Sequence, residues 1–178
     1  MKRSVEDAVE LINRKGKITD RMEAGQNLII RAYEPADWEA VCTVFAQAKP
    51  DEFKGVLGEE DIIPLDQDEA ILKSFHDSAI YVAEKDNRIV GFAGYHSQFI
   101  SFLFISPHYY RQHIATKLLE HILPMAGNEV SLLVLKSNLP AINLYRKLGF
   151  TIAEEFNGKY NESITVTVLR LSKTQAAF

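Results

Sequence analysis

Two stretches of the chain put residue types where they could do chemistry. The first is "SPHYYRQHIATKLLEHIL" at 106–123, which reads as the end of a strand, a short loop and a helix. A helix start after a strand presents free N–H groups and the positive end of the helix dipole, so an anion such as phosphate is favoured there. Arg111 could add a charge-assisted contact, and Ala115 is nearly as small as glycine. The loop holds no glycine, however, and glycine is what usually lets a backbone approach phosphate closely. Taken alone, an ordinary helix start with a solvated arginine is the favoured reading. The second stretch is "NLPAINLYRKLGF" at 138–150, where Ala141, Leu144, Tyr145 and Leu148 fall at i, i+3, i+4 and i+7. That spacing points Tyr145 inward with the apolar stripe. It is then either a core tyrosine whose hydroxyl finds a neighbour, or part of a site if this helix lies beside the one that follows His113.

The rest of the sequence supplies elements able to position these two stretches. "NLIIRAYE" (27–34) is a strand and "PADWEAVCTVFAQAK" (35–49) a helix, with Trp38, Val41, Cys42 and Phe45 on one stripe. Cys42 there is a small core residue rather than a nucleophile. Residues 50–66 read as irregular and 67–78 as a second short helix. Residues 79–98 form a hairpin turning at Asp86-Asn87, and "FISFLFIS" (99–106) is a continuous apolar run, as a central strand covered on both faces requires. A helix over 113–123 and a strand over 129–137 follow. Asn138 caps the next helix, Pro140 sits in its first turn, and Gly149 ends it. "TIAEEF" and "SITVTVLRLS" close the chain as a hairpin through "NGKYNE". The order β-α-α-β-β-β-α-β-α-β-β is that of a mixed α/β domain with a mostly antiparallel sheet.

With 178 residues, one domain over 27–173 is expected, preceded by a helical extension (1–26) and followed by a short tail (174–178). In the extension, Ser4 could cap a helix over 4–14 whose stripe is Val5, Ala8, Val9 and Ile12. A net charge of −4 argues against non-specific nucleic-acid binding. The charged start carries no signal-peptide core, no apolar run is long enough to span a bilayer, and one cysteine permits no internal disulfide. A cytoplasmic protein, monomer or homodimer, is expected.

At this level the chain resembles the GNAT superfamily of N-acetyltransferases over 27–172. The resemblance rests on the element order, on the strand-Pro-loop-helix at 102–123, and above all on Asn138, Ala141, Tyr145, Gly149 and Phe150. These match the superfamily's Asn-x-x-Ala-x-x-x-Tyr-x-x-x-Gly-Phe signature. Its phosphate turn, Gln/Arg-x-x-Gly-x-Gly/Ala, falls on Tyr110, His113 and Ala115, and only Ala115 agrees. The donors in such a turn are backbone N–H groups, so the side chains can vary. As the first helical residue His113 is expected at negative φ, where it replaces glycine harmlessly; positive φ would cost on the order of 1–2 kcal/mol.

The resemblance implies a sheet of about seven strands splayed in the middle and flanked by helices, with acetyl-CoA as cosubstrate and no metal. It places the diphosphate on Tyr110, Arg111, Gln112, His113, Ile114, Ala115 and Thr116, and the pantetheine arm along Phe104 and Ile105. The N–H of Leu103 would face the thioester carbonyl and stabilise the oxyanion. Tyr145 would protonate the leaving thiolate, and Asn138 would order its helix and touch the pantetheine. The implied reaction is direct attack of a primary amine, of a small molecule or peptide, within a ternary complex. Where some members carry a basic glutamate this chain has Phe99, which leaves His96, Ser101 or His76, acting through water, as candidate bases. His108 and His121 lack metal-ligand spacing. Residues 51–70 hold eight carboxylates (Asp51, Glu52, Glu59, Glu60, Asp61, Asp66, Asp68, Glu69) against one lysine. A solvated face is the default for such a run, and a field drawing in a cationic amine is the alternative. Two other functions stay open: a non-catalytic acyl-CoA-binding module, and a toxin or effector acetylating a macromolecule.

Overall fold

The computed structural model describes residues 28–160 and 163–175. The helix expected over 4–14 lies outside the described residues. The elements are β1 (Leu28–Ala32), α1 (Trp38–Glu52), α2 (Glu69–Asp77), β2 (Ala79–Lys85), β3 (Arg88–His96), β4 (Phe99–Ile105), α3 (Ile114–Ala126), β5 (Glu129–Leu135), α4 (Leu139–Lys147), β6 (Thr151–Lys159) and β7 (Thr165–Thr174). One seven-stranded sheet runs β1-β2-β3-β4-β5-β7-β6. All its pairings are antiparallel except β4 with β5.

Local chemistry accounts for most of these boundaries. Asp86 and Asn87 both take positive φ (51° and 59°) at the β2–β3 turn, the twist that a two-residue hairpin needs. Asp68 starts α2 by accepting from the N–H groups of Ala70 and Ile71, each at 3.0 Å. Ahead of α1, Pro35–Asp37 form a turn of 3-10 helix. There the buried Asp37 carboxylate accepts from Arg31 Nη1 (2.7 Å), Arg31 Nη2 (2.9 Å) and the Glu34 N–H (2.9 Å). Arg31 also reaches Glu84 at 3.0 Å, so one guanidinium ties β1 to β2 and to the start of α1.

Three expected boundaries move. α1 does not stop before Pro50 but runs through it to Glu52. A proline late in a helix removes one N–H donor, a loss that this helix tolerates in its last turn while Val41, Val44, Phe45 and Ala48 hold it on the core. α3 likewise continues through Pro124 to Ala126. β6 continues through Asn157-Gly158, which read as a turn; Gly158 pairs with Val166, and Asn157 Oδ1 accepts from Thr167 Oγ1 at 3.1 Å. Cross-strand bonding outweighs the local turn preference there.

Each face of the sheet carries a core. On one, Ile114, Leu118, Leu119, Ile122 and Leu123 of α3 pack with Ile142 and Tyr145 of α4, Phe150, and residues of β2 to β5 and β7. On the other, Val41, Val44 and Phe45 of α1 pack with Leu65, Phe75, Phe92 and Phe102, and this core draws no residue from β5, β6 or β7. Cys42 is half-buried against it. Burial, and next the nearby Asp66, push its thiol up, away from the reactive thiolate. Among the described residues no helix is long and apolar enough to cross a membrane.

Candidate active site

The splay appears between β4 and β5. These parallel strands share a single register position, Phe99 opposite Ser131, next to a bond from the Ser131 N–H to the Gln98 carbonyl (2.9 Å). On its other edge β4 is fully paired with β3, apart from a register shift that leaves Ser101 without an opposite residue. The Ser106 N–H donates to the Val90 carbonyl at 2.8 Å, and Phe104 and Phe102 stand opposite Phe92 and Gly94. Because N–H groups alternate along an antiparallel strand, those of Leu103 and Ile105 point the other way, into the gap. The gap thus offers two backbone donors to an extended chain.

Where β4 ends, the chain enters the turn before α3. Arg111 and His113 both adopt positive φ, 60° and 59°, and His113 is the N-cap in the left-handed region rather than the first helical residue. The expectation of negative φ at His113 is therefore corrected. A non-glycine residue there stores on the order of 1–2 kcal/mol of strain. In return the turn exposes its main chain. The first helical bond runs from Lys117 N–H to the His113 carbonyl, and among the described residues no group accepts from the N–H of Arg111, Gln112, His113, Ile114, Ala115 or Thr116. Six consecutive amides without a partner among the described residues, at a helix start, are main chain of the kind that can receive an anion, and no glycine is among them.

Side chains anchor this turn from three sides. Ser106 Oγ donates to Gln47 Oε1 of α1 at 2.8 Å, and Lys85 Nζ of β2 donates to Gln112 Oε1 at 2.7 Å. Tyr110, where the family pattern has Gln or Arg, donates its hydroxyl to Asp51 Oδ2 at 2.9 Å. Burial first, and then this carboxylate, raise the Tyr110 phenol well above the ordinary range, so it stays a donor. The His113 and Arg111 side chains are exposed.

Tyr145 is held by the way its helix ends. Asn138 caps the start of α4 by accepting from the Ala141 N–H at 3.2 Å. At the other end the Gly149 N–H bonds to the Arg146 carbonyl and the Phe150 N–H to the Tyr145 carbonyl, both at 3.0 Å, with Gly149 at φ 89°. This is a Schellman closure, and its usual apolar contact is here the edge-on packing of Phe150 on the Tyr145 ring, 5.8 Å between centroids. The tyrosine is only 7% exposed. Its hydroxyl has no hydrogen-bond partner among the described residues, yet no buried side-chain polar atom there is left unsatisfied. The hydroxyl therefore touches accessible space rather than packed core. Desolvation above all, and then the Glu52 carboxylate, raise this phenol far above its ordinary value.

That influence singles out Glu52, which the sequence offered only as one carboxylate of the acidic run at 51–70. Ending α1 at Lys49 left Glu52 in an irregular segment; the continued helix carries Asp51 to Tyr110 and Glu52 within electrostatic reach of Tyr145. The candidate bases are placed otherwise. His96 and Ser101 line a groove of about 380 Å³ with Lys73, Ser74, Asp77 and Phe99. His96 Nδ1 is 2.6 Å from the Asp77 carbonyl oxygen, and Ser101 Oγ accepts from Ser78 Oγ at 3.0 Å. His76 rests edge-on against Phe75. Each is engaged with α2 or its end, and none is among the groups that shift the Tyr145 phenol. Among the described residues, no group of three or more His, Cys, Asp or Glu could hold a metal ion.

The chain is similar to known proteins in both sequence and fold. A 70-residue stretch is 41% identical to the human Cysteine-rich protein 2-binding protein and covers 37% of this chain but only 9% of that protein. The fold matches the Escherichia coli ribosomal-protein-S18-alanine N-acetyltransferase with a TM-score of 0.67 at 20% identity, over 85% of this chain and 96% of that one. It matches a GCN5-related N-acetyltransferase from Rhodopseudomonas palustris with a TM-score of 0.71 at 16% identity, over 84% and 96%. YncA of Salmonella typhimurium, solved with its cofactor acetyl-CoA, gives 0.65 at 14% identity, over 86% and 96%. The model of the acetyltransferase (GNAT) family runs along residues 38–150, from the start of α1 to the Phe150 that braces Tyr145, and the chain belongs to that family.

Proposed function

We propose that the protein is an N-acetyltransferase that moves an acetyl group from acetyl-CoA to the primary amine of a small molecule or peptide by direct attack in a ternary complex. The observation that carries this reading is the run of six unpartnered amides at 111–116, set where a splayed strand pair leaves the Leu103 and Ile105 amides unused. Acetyl-CoA has a diphosphate and a peptide-like arm for these two features, and it brings an activated thioester. The YncA complex shows this cosubstrate in a neighbour of the same fold.

The residues of the chain then divide the work. The amides from Arg111 to Thr116 hold the diphosphate, with Tyr110 setting the turn through Asp51. Phe104 and Ile105 line the arm, and Asn138 fixes the start of α4 beside it. The Leu103 N–H polarises the acyl carbonyl. The Tyr145 hydroxyl is the proton source for the departing sulfur. Its raised pKa keeps it protonated through neutral and moderately alkaline pH, since a phenol is neutral at every pH below its pKa. We place this chemistry in a unit spanning 27–173 and in the cytoplasm, where a lone, half-buried cysteine stays reduced.

Release of free thiol from acetyl-CoA with a panel of amines tests the reading, alongside Tyr145→Phe. The variant is expected to lose about 100-fold or more in turnover while its CoA affinity, measured by calorimetry, barely changes. Unchanged turnover removes Tyr145 from its role. CoA binding without thiol release on any amine identifies a binding module instead.

A further inference from the structure

The end of α1 holds an arrangement of which the acetyl-transfer roles use only Phe104. Lys49 Nζ lies 2.7 Å from Glu52 Oε2, and it stands over three rings, 4.9 Å from the centroid of Phe53, 5.4 Å from Phe104 and 5.5 Å from Phe45. The two charged side chains are only 14% and 28% exposed. A helical Lys–Glu pair spaced i, i+3 is ordinarily solvated and contributes a few tenths of a kcal/mol. A carboxylate and three aromatic faces around one ammonium are instead the means by which proteins recognise cationic nitrogen. Here the protein supplies the ammonium itself.

The position of the cage gives it a purpose. Phe104 stands on β4 between Leu103 and Ile105, whose amides face the gap. Phe53 packs on Tyr160 with centroids 4.9 Å apart, and Tyr160 Oη donates to the Asp61 carbonyl at 3.1 Å, so Tyr160, just past the end of β6, ties the Phe53 wall to the segment around Asp61. Glu52 is sensed electrostatically by Tyr145 of α4 and by Tyr160, and Asp61 and Asp68 also act on Tyr160. Lys49 of the same helix is the cation paired with Glu52.

We propose that this cage is the acceptor pocket for a primary alkylammonium, that the incoming ammonium displaces Lys49 from between the rings, and that Glu52 accepts its proton. An N–H bond of the ammonium breaks and an O–H bond forms on Glu52, which passes the proton to water; the nitrogen keeps the electron pair. Lys49 is then a built-in competitor, so the apparent affinity for an amine is reduced by the fraction of time in which Lys49 occupies the cage. The proposal rests on the acetyltransferase reading for its use of the bound amine, but the pocket itself can be tested apart from turnover.

Binding of n-butylammonium, with n-butanol as the neutral probe, is followed by ligand-observed NMR on the whole chain, and CoA affinity is measured separately. Glu52→Gln is expected to weaken butylammonium binding roughly tenfold. Lys49→Met, which keeps the apolar stem, is expected to tighten it several-fold. Phe53→Leu removes one wall and weakens it, which provides a second arm should Lys49→Met fail to fold. CoA affinity should not move in any of the three, and butanol binding should not move in Glu52→Gln, which removes only the charge. Unchanged binding in Glu52→Gln, or weaker binding in folded Lys49→Met, overturns the proposal, because Lys49 would then merely anchor the helix end. Failure of CoA to bind the wild type would instead sink the acetyltransferase reading and leave the pocket result standing.

Discussion

His113 shows how one residue can carry a cost that the family pattern avoids. Its φ of 59° lies in the region where glycine is at ease and a β-carbon is not. His113→Gly relieves that strain but gives the unfolded chain more freedom, so a net gain of about 0.5–1 kcal/mol is expected, or roughly 1–4 °C in Tm. Thermal unfolding checks this, and a lower Tm would show that the histidine side chain repays its strain. The side-chain pattern could not reveal the φ value. Residues 113–123 look helical throughout, and it is the tertiary path from β4 into α3 that forces the left-handed step. Tyr145 was legible because a spaced signature fixes it. Glu52 was not, because it comes within electrostatic reach of Tyr145 only through the continuation of α1 past Pro50, and Tyr145 lies almost a hundred residues further on.

At the scale of elements, the join of β1 to α1 depends on charge. The Arg31 hydrogen bonds hold the Asp37 carboxyl below the usual carboxylate range, against the opposing effect of burial. A depressed folded-state pKa stabilises the protein at pH values above the unfolded value of about 3.9. That contribution is lost as the pH falls through the lower folded value. Asp37→Asn should therefore cost about 1.5–3 kcal/mol near neutral pH and flatten the acid limb of stability. Urea unfolding followed from pH 6 down to the acid transition would check both effects. Helices and strands with clear periodicity were legible in the sequence, and so were the caps at Asp68 and Asn138 only in part: Asn138 was foreseen, Asp68 was not. The ends of α1, α3 and β6 were misplaced because proline and Asn-Gly are local stop signals that burial and cross-strand bonding override.

For the whole molecule, the strand order and splay follow from the connectivity and the family signature, whereas the direction of the electric field follows from composition. Residues 51–70, which begin at the end of α1, carry eight carboxylates and one lysine. If this field draws in the acceptor, KM for cationic amines should rise as salt is raised from low ionic strength to several tenths molar, while KM for neutral amines stays level. Steady-state kinetics across that range decides the matter. Equal salt dependence for both classes would make the acidic run a solvated face.

The single rung between β4 and β5 has a further consequence. A sheet normally has its unpaired edges at its two ends, but this one carries another in its interior, along Leu103 and Ile105. Unpaired edges recruit strands. An arm built of amide links is chemically a strand surrogate, so if acetyl-CoA fills the gap as proposed it also retires an adhesive seam, and the empty protein should be the form more prone to clump.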